Sequence, residues 1–333
     1  MNERNGIIAG GNWIVDQVKL LDTWPAQDAL ANIAGESRGN GGSAYNVLKD
    51  LAKLGAPFPL EAIGLIGDDE RGRWIAADCA QHRIDTRQLR VEAGAATSYT
   101  DVMTVGGTGR RTFFHRRGAN ALLGPRHFDF AATQARHFHL GYLLLLDALD
   151  EPDEAGIPQA AAVLRAARAA GLTTSVDVVS AAAGRFQQGV LPVLPWVDCL
   201  FVNDYEAAQT TGIAVRDGDR LDLGAVEAAA RVMIAAGAGQ VVLHAPEGAY
   251  AAGAEGWGIW QPALRLEVGE IRGAAGAGDA FAAGFLLGWH ESWNAAQSLR
   301  LGVAAAATSL FDPTCSDGVR PLIECLQFAE DRL

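Results

Sequence analysis

The sequence predicts an α/β fold built on a mostly parallel sheet with helices on both faces. From about residue 133 onward, short apolar or β-branched segments alternate with segments of helical periodicity. Strands are predicted at 136–140, 173–178, 199–202 and 240–244, and helices at 159–170, from 204 onward and at 226–236. Two helices rich in small residues, 276–289 and 295–310, follow. Such alternation favours a parallel sheet covered on both sides.

The first third of the chain adds a smaller sheet to this prediction. Its periodicity indicates a strand at 6–18, a helix at 43–54 ending at Gly55, a strand at 60–67 and a helix at 71–82. An antiparallel pattern follows, in which segments 97–104 and 111–115 flank a glycine turn containing Gly106, Gly107 and Gly109. We expect one domain over residues 1–333, with a β-sheet lid formed by segments near 12–20, 32–38 and 95–116.

The composition of the chain indicates which kinds of molecule it is expected to bind. The chain has 333 residues and a formal net charge of −12, from 27 basic and 39 acidic residues. This charge argues against nucleic-acid binding, which needs a basic face. Four scattered cysteines without a CxxC pair are typical of a cytoplasmic protein, and no apolar segment has the length of a signal peptide or membrane span. We expect a cytoplasmic protein with no nucleic-acid or membrane partner.

The segment Gly-Ala-Ala-Gly-Ala-Gly-Asp at 273–279 is the strongest functional signal. Glycines directly before a helical run place free backbone N–H groups at a helix N-terminus, where they and the helix dipole attract an anion. Asp279 lies in the first turn of this helix and could take a proton from an attacking hydroxyl. Alternatively, Asp279 only complements the helix dipole and the glycines only allow close packing; the local sequence leaves both interpretations open.

Other motifs with similar residues do not fit. Phe281 stands where a dinucleotide fingerprint needs its last glycine or alanine, and the chain contains no Gly-Lys pair for a P-loop. The lysines, Lys19, Lys49 and Lys53, do not lie in a protein-kinase strand motif. Ser37 matches a hydrolase elbow, but further glycines separate it from the next helix, so a nucleophilic Ser37 is disfavoured.

Two further segments have the pattern of binding sites. Glycines at 39–42 open a helix that Ser43 could cap, and Asn46 would offer a donor and acceptors to a polyhydroxylated ligand. Asn203 and Glu206 follow a strand and could hold a hydrated magnesium ion near phosphates. The alternatives are a flexible loop with an ordinary cap and a capping box. We interpret His137 and His139 as structural, because no third metal ligand accompanies them.

Taken in order, these segments resemble the ribokinase-like (PfkB) carbohydrate kinases over nearly the whole chain, from Gly10 to about Leu310. The resemblance rests on several motifs together, of which the last is the most specific. They are Asp16 in the first strand, Gly41-Gly42-Ser43-Ala44-Tyr45-Asn46, Ile66-Gly67-Asp68-Asp69 with Gly72, Arg117-Gly118-Ala119-Asn120, Asn203 to Glu206, and Gly276-Ala277-Gly278-Asp279.

This resemblance implies a doubly wound α/β domain with a β-sheet lid that often forms a homodimer. It also implies ATP and Mg²⁺. Residue by residue, it implies Asp279 as the catalytic base, with Gly276, Ala277 and Gly278 providing N–H groups to the transferring phosphoryl group. Asp16, Gly41, Gly42 and Asn46 would bind the acceptor, and Asn203, Glu206 and Gly248 the nucleotide and magnesium. No residue is assigned as a direct metal ligand.

The chain departs from the family pattern at several positions. Gly273 and Ala274 replace an Asp-Thr pair whose Asp is tied to a monovalent-cation site. Leu243 and Ala245 depart from a Thr-Leu-Gly-x-x-Gly segment on the nucleotide side. Gly141 and Tyr142 occupy a region where ribokinases place an acidic sugar contact.

We therefore expect ATP-dependent phosphorylation of a hydroxyl on a sugar or sugar-like molecule. One alternative is a nucleoside kinase on the same fold, since Tyr45, Phe113 or Phe114 could stack a base. The other is a non-catalytic sugar-binding sensor, which the departures Leu243, Ala245 and Gly273 favour and the retained Asp279 opposes. The sequence does not identify the acceptor.

Overall fold

The computed structural model describes residues 4–106, 110–181, 184–267 and 269–332. In these ranges the strands, in chain order, are β1 (Ile7–Gly11), β2 (Ile14–Leu21), β3 (Ile33–Gly41), β4 (Leu60–Gly67), β5 (Ile84–Glu92), β6 (Ser98–Val105), β7 (Arg111–Arg116), β8 (His137–Leu143), β9 (Thr173–Val178), β10 (Cys199–Asn203), β11 (Arg216–Asp217), β12 (Arg220–Leu221), β13 (Gln240–Ala245), β14 (Gly248–Gly253) and β15 (Gly258–Pro262). The α-helices are α1 (Ser43–Leu54), α2 (Glu70–Gln81), α3 (Asp147–Asp150), α4 (Ala160–Ala169), α5 (Phe186–Val190), α6 (Asp204–Thr211), α7 (Leu223–Ala235), α8 (Ala277–His290), α9 (Ala295–Ser309) and α10 (Leu322–Glu330).

The main sheet has nine strands in the order β15-β14-β13-β10-β9-β8-β1-β4-β5. Every neighbouring pair from β13 to β5 is parallel, and only β14 and β15 add antiparallel pairs at one edge. Because crossover helices connect the parallel strands, both faces of this sheet are covered. The predicted fold class, a mostly parallel sheet with helices on both faces, is therefore confirmed.

The core consists of two apolar layers, one on each face of the main sheet. Alternate side chains of β10 separate into these layers: Phe201 packs with residues of α1, α8 and α9, whereas Leu200 and Val202 pack with residues of α4 and α7. Burying one such side chain fully stabilises the fold by about 1.5–3 kcal/mol. The layers hold the carboxyl ends of the parallel strands in place, and open α/β sheets bind ligands at that edge.

The prediction of one strand over 6–18 is wrong, because this segment forms two strands in different sheets. The break falls at Asn12 and Trp13. Asn12 accepts a hydrogen bond from the Tyr142 N–H over 2.6 Å, and the buried Trp13 indole donates to the Ile63 carbonyl over 2.8 Å. These contacts turn the chain out of the main sheet after β1. Asp16 consequently lies on β2, in the smaller sheet and within the segment near 12–20 that was predicted for that sheet, and not in the first strand.

The smaller sheet has four strands in the order β3-β2-β6-β7. β2 pairs antiparallel with β3 and parallel with β6, and β6 pairs antiparallel with β7. Gly106 follows β6 and donates its N–H to the Leu21 carbonyl over 2.9 Å. The predicted turn glycines Gly107 and Gly109 lie outside the described residues. A separate small sheet therefore accompanies the main one, as predicted.

Most predicted elements agree with the structure to within a few residues. Helix α1 and strand β4 have the predicted bounds. The end of α1 could be predicted because Gly55 ends this helix in the left-handed conformation, with a φ of 81°. The strands β14 and β15 and the helix α10 were not predicted, since alanine and glycine dominate β14 and give no clear periodicity. In the described part of the chain, no helix combines the length and apolar character that crossing a bilayer requires.

Candidate active site

The glycine turn before α8 forms the centre of the site. Gly276 caps this helix in the left-handed region, with a φ of 73°, and a Cβ there would lie 2.6 Å from the Cβ of Cys315. Glycine is therefore required for both conformation and space. The N–H groups of Ala277 and Gly278 have no acceptor within the helix, as expected for a first turn. Together with the helix dipole, they provide a binding position for an anion.

Asp279 lies directly beside these N–H groups. Its side chain is buried and accepts hydrogen bonds from Asn46 Nδ2 over 2.7 Å and from the Tyr142 hydroxyl over 2.9 and 2.7 Å. Burial raises the pKa of Asp279, and the hydrogen bonds from Asn46 and Tyr142 oppose that rise. These donors favour the ionised form, which is the form of Asp279 that could accept a proton.

The second glycine segment brings Asn46 to this carboxylate. Gly42 precedes α1 with a φ of 87°, and Asn46 lies one turn into the helix. Its Oδ1 accepts from Asn40 Nδ2 over 2.6 Å, which orients the amide so that its nitrogen faces Asp279. The two predicted signals, 233 residues apart in the chain, thus meet through one hydrogen bond.

The expectation that Ser43 caps α1 is wrong. No side chain caps this helix at its N-terminus; the Ser43 hydroxyl instead lies 2.9 Å from His139 Nε2 and donates to Asp177 Oδ2 over 3.3 Å. The other nitrogen of His139 lies 2.8 Å from the Ser175 hydroxyl, which also contacts His137 Nε2 at 2.8 Å. Both histidines are thus engaged with hydroxyl groups, in agreement with a structural role.

Asp16 and Gly41 lie next to each other on the paired strands β2 and β3. A Cβ at Gly41 would come within 2.5 Å of Asp16 Oδ1, so glycine leaves room for the carboxyl group. Burial raises the pKa of Asp16 to about 7, with a smaller contribution from the charge of Asp279. The Cys315 thiol lies 3.5 Å from Asp16 Oδ2. The structure thus places Asp16 beside Gly41 and close enough to Asp279 for the two carboxyl groups to interact.

Asn203 and Glu206 form the reciprocal capping box of α6. Asn203 Oδ1 accepts from the Glu206 N–H, and Glu206 Oε2 accepts from the Asn203 N–H, both over 2.8 Å. Glu206 Oε1 also accepts from the Ser180 hydroxyl over 2.8 Å. Burial raises the pKa of Glu206 to about 8. The local capping interpretation therefore holds, and it does not exclude a ligand because both residues also line a cavity.

This cavity of about 770 Å³ lies at the carboxyl edge of the main sheet, with Asp279 in its wall. Its lining includes Asn203, Glu206, Gly248, Ala277 and Gly278. A Cβ at Gly248 would approach Gln261 O to 2.4 Å, so this glycine is also required by the packing of β14 on β15. The volume and the position next to the helix N-terminus suit a nucleotide-sized ligand.

Sequence reasoning missed the roles of Tyr142 and Asp177. Tyr142 was noted only because it replaces an acidic residue, and nothing in its local sequence indicates the contact with Asp279. Asp177 stands at the carboxyl end of the buried strand β9, where an acidic residue is itself a signal. Burial raises the pKa of Asp177, as do the charges of Asp279 and Glu206. The three carboxyl groups therefore lie close enough to interact.

Within the described residues, no group of three or more acidic, histidine or cysteine side chains is arranged to hold a bare metal ion. The charges of Asp279 and Glu206 nevertheless raise the pKa of Asp177, and the charge of Asp279 raises the pKa of Glu206, so ionisation of these carboxyl groups is unfavourable without a cation. A hydrated divalent cation bound through its water molecules would relieve this repulsion, as is common for Mg²⁺ beside phosphates. The residues thus fit magnesium held indirectly.

Comparison with known proteins identifies a family and several relatives of this chain. Residues 12–321 match the model of the pfkB family carbohydrate kinases. The chain is 30% identical over 299 residues to the ATP-dependent ribose-1-phosphate kinase of Halopiger xanaduensis, covering 89% of this chain and 88% of that protein.

Two solved structures share the fold. The ribokinase of Arabidopsis thaliana complexed with ribose and ATP superimposes with a TM-score of 0.79 at 18% identity, covering 98% of this chain and 99% of that chain. The nucleoside kinase of Methanocaldococcus jannaschii superimposes with a TM-score of 0.75 at 15% identity, covering 99% and 100%.

Proposed function

Because the chain belongs to the pfkB family of carbohydrate kinases, we propose that it transfers the γ-phosphoryl group of ATP to a hydroxyl of a sugar or sugar-like molecule, with Asp279 as the base. One observation carries this proposal: Asp279 lies both in the first turn of α8, beside the open N–H groups, and within hydrogen-bond reach of Asn46. The proposed base therefore lies next to both the binding position for the transferring phosphoryl group and a residue proposed to contact the acceptor.

The proposed reaction follows from this arrangement. Asp279 accepts the proton of the acceptor hydroxyl, whose oxygen forms a bond to the γ-phosphorus. The bond from that phosphorus to the β,γ-bridging oxygen breaks, and ADP leaves with the electron pair. The N–H groups of Ala277 and Gly278 stabilise the negative charge on the transferring group, while Asp16, Gly41, Gly42 and Asn46 orient the acceptor. Positioning and charge stabilisation provide most of the rate enhancement in such transfers.

On the nucleotide side, we assign the cavity lined by Asn203, Glu206 and Gly248 to ATP. Magnesium would supply positive charge that offsets the charge of the phosphates. Burial raises the pKa values of Asp177 and Glu206, and the charge of the bound ion would offset that rise, so these two residues would hold the ion through its water molecules. His244 borders Gly278 and stays neutral, since burial lowers its pKa to about 4, so it adds no charge to the phosphate position.

The acceptor is a sugar, a sugar derivative or a nucleoside. Ribose 1-phosphate, named for the Halopiger relative, is one candidate. A nucleoside is the second candidate, because the side chain of Phe113 is 55% exposed on β7. In the small sheet, β6 alone separates β7 from β2, the strand that carries Asp16. Such a ring could stack on a base.

The proposal is tested by measuring ADP formation with purified protein, magnesium and ATP across pentoses, hexoses, sugar phosphates and nucleosides. Acceptor-dependent ADP formation is expected with at least one sugar or sugar derivative. Preference for nucleosides would favour the second candidate. Tight binding of a sugar with no ADP formation from any acceptor would instead indicate a sensor.

We further propose that the four-stranded sheet acts as a lid over the acceptor within a single kinase domain spanning residues 1–333. Asp16 on β2 supports this assignment, because it places an acceptor-binding residue on that sheet. A homodimer through the same sheet is proposed from its exposed apolar side chains. The four cysteines are all unpaired and buried, which is consistent with a cytoplasmic location.

A further inference from the structure

Basic side chains on the small sheet have buried nitrogen atoms without partners. Arg111 Nη1 and His115 Nε2, both on β7, are buried and form no hydrogen bond to any residue that the structure describes. Arg117 Nη1, directly after this strand, also forms none, although it lies 3.4 Å from Asp147 Oδ1 as an ion pair. Buried polar atoms are rarely left unpaired, so the two on Arg111 and His115, within five residues, indicate a missing ligand.

The strand register places Arg111 and His115 on the face of the small sheet that carries Asp16. Asp16 is paired with Thr100, and Thr100 is paired with His115, so these three side chains share one face of the sheet. The Thr100 hydroxyl lies 3.1 Å from His115 Nδ1. Arg111 is four residues from His115 and shares this face because side chains alternate along a strand. The unpaired nitrogens therefore lie on the face that carries Asp16.

A second link connects Arg111 with the acceptor residues. Burial lowers the pKa of Arg111, and the Cys315 thiol acts electrostatically in the opposite direction, so the two groups are neighbours. The same thiol lies 3.5 Å from Asp16 Oδ2. Two independent observations thus place these side chains near Asp16. Arg111 and Asp16 share the neighbour Cys315, and His115 and Asp16 share the neighbour Thr100.

We propose that Arg111 and His115 bind a phosphate group that the acceptor already carries, with Arg117 at the edge of this site. This inference rests on the proposed kinase function and specifies its substrate class as sugar phosphates, from which the reaction makes a bisphosphate. A guanidinium offers several donors in a planar fork that matches phosphate oxygens, whereas a neutral sugar leaves its charge without a counterion. Burial lowers the pKa of His115 to about 4, so His115 is a neutral partner, and the Arg111 guanidinium supplies the positive charge that an anionic acceptor needs beside the carboxyl groups of Asp16 and Asp279.

The test separates phosphate binding from turnover. Calorimetry without ATP would compare ribose 1-phosphate, ribose 5-phosphate and fructose 6-phosphate with ribose and fructose. We expect at least one sugar phosphate to bind ten or more times more tightly than its neutral sugar. Arg111→Gln and His115→Gln should each weaken that binding about tenfold or more, and should leave the KM for ATP unchanged in a coupled assay.

Arg116→Gln is the matched control, because Arg116 is exposed and its side chain projects from the opposite face of β7. It should change sugar-phosphate binding less than twofold. Equal or tighter binding of the neutral sugars would overturn the phosphate site, as would unchanged binding by Arg111→Gln. If the sugar phosphate binds as expected but no ADP forms, the proposed kinase function fails and the phosphate site stands.

Discussion

The hydroxyl of Tyr142 donates to the carboxylate of Asp279, 2.7 Å from Oδ2 and 2.9 Å from Oδ1. Tyr142 lies at the end of β8, where its N–H donates to Asn12 Oδ1 over 2.6 Å. Tyr142 thus contacts the carboxylate that we propose as the base. We expect the acceptor hydroxyl to compete with this phenol for Asp279.

This relationship predicts the effect of Tyr142→Phe on the pH profile. The hydrogen bond from Tyr142 opposes the burial-induced rise in the pKa of Asp279, so its removal should raise that pKa further. Since the base must be ionised, activity is lost as pH falls through its pKa, and the acidic limb should move to higher pH. A hydrogen bond to a charged group contributes about 1.5–3 kcal/mol, which corresponds to about 1–2 pH units. An acidic limb that stays in place would show that Tyr142 does not influence the base.

Potassium should have little effect on the rate. Gly273 provides no carboxylate, and a Cβ there would lie 2.8 Å from Pro313 Cα and 3.0 Å from the Asp312 carbonyl, so the backbone packs too closely for a side chain. Without a charged ligand, the attraction for a monovalent cation is weakened. Rates should be compared with potassium replaced by a bulky organic cation at constant ionic strength. A several-fold fall would show that backbone carbonyls provide a cation site without the carboxylate.

The small sheet should mediate a homodimer. Six of its exposed or adjoining side chains are large and apolar, and exposed sheet edges favour pairing. They are Leu20, Trp24, Leu30, Ile33, Phe113 and Phe114, whose exposed fractions are 41%, 49%, 82%, 50%, 55% and 52%. Light scattering at micromolar concentration should give the mass of a dimer, and Phe114→Asp should shift it toward the monomer. Ile323→Asp, at a 75% exposed position on α10, should leave it unchanged. A monomeric parent protein would contradict this prediction.

Local patterns predicted the elements better than their long-range arrangement. Helix α1 was predicted to the residue because a glycine ends it, and β9 because β-branched residues fill a buried strand. A small-sheet strand near 12–20 was predicted, but the end of β1 before it was missed, since both halves of 6–18 are apolar and the turn at Asn12 depends on contacts with Tyr142 and Leu145. Short-range periodicity contains no information about partners that lie more than 100 residues away.

The site shows the same contrast. The glycine segments and Asp279 were predicted because helix N-termini have a local signature, and their meeting through Asn46 follows from the fold that the resemblance implies. The contact of Tyr142 with Asp279 was not predicted, because 137 residues separate them and neither segment alone indicates the other. Likewise, the unpaired nitrogen atoms of Arg111 and His115 are visible only once the strand register of the small sheet is known.

The measurement that tests the central claim most directly is the turnover of Asp279→Asn with an acceptor that the wild-type protein phosphorylates. The amide preserves the shape of the side chain but does not accept the acceptor proton. We predict a fall in kcat of about 10²–10⁴-fold, the usual effect of losing a general base, with acceptor binding by calorimetry changed less than threefold. A variant that keeps more than about a tenth of the wild-type kcat would contradict the assignment of Asp279 as the base.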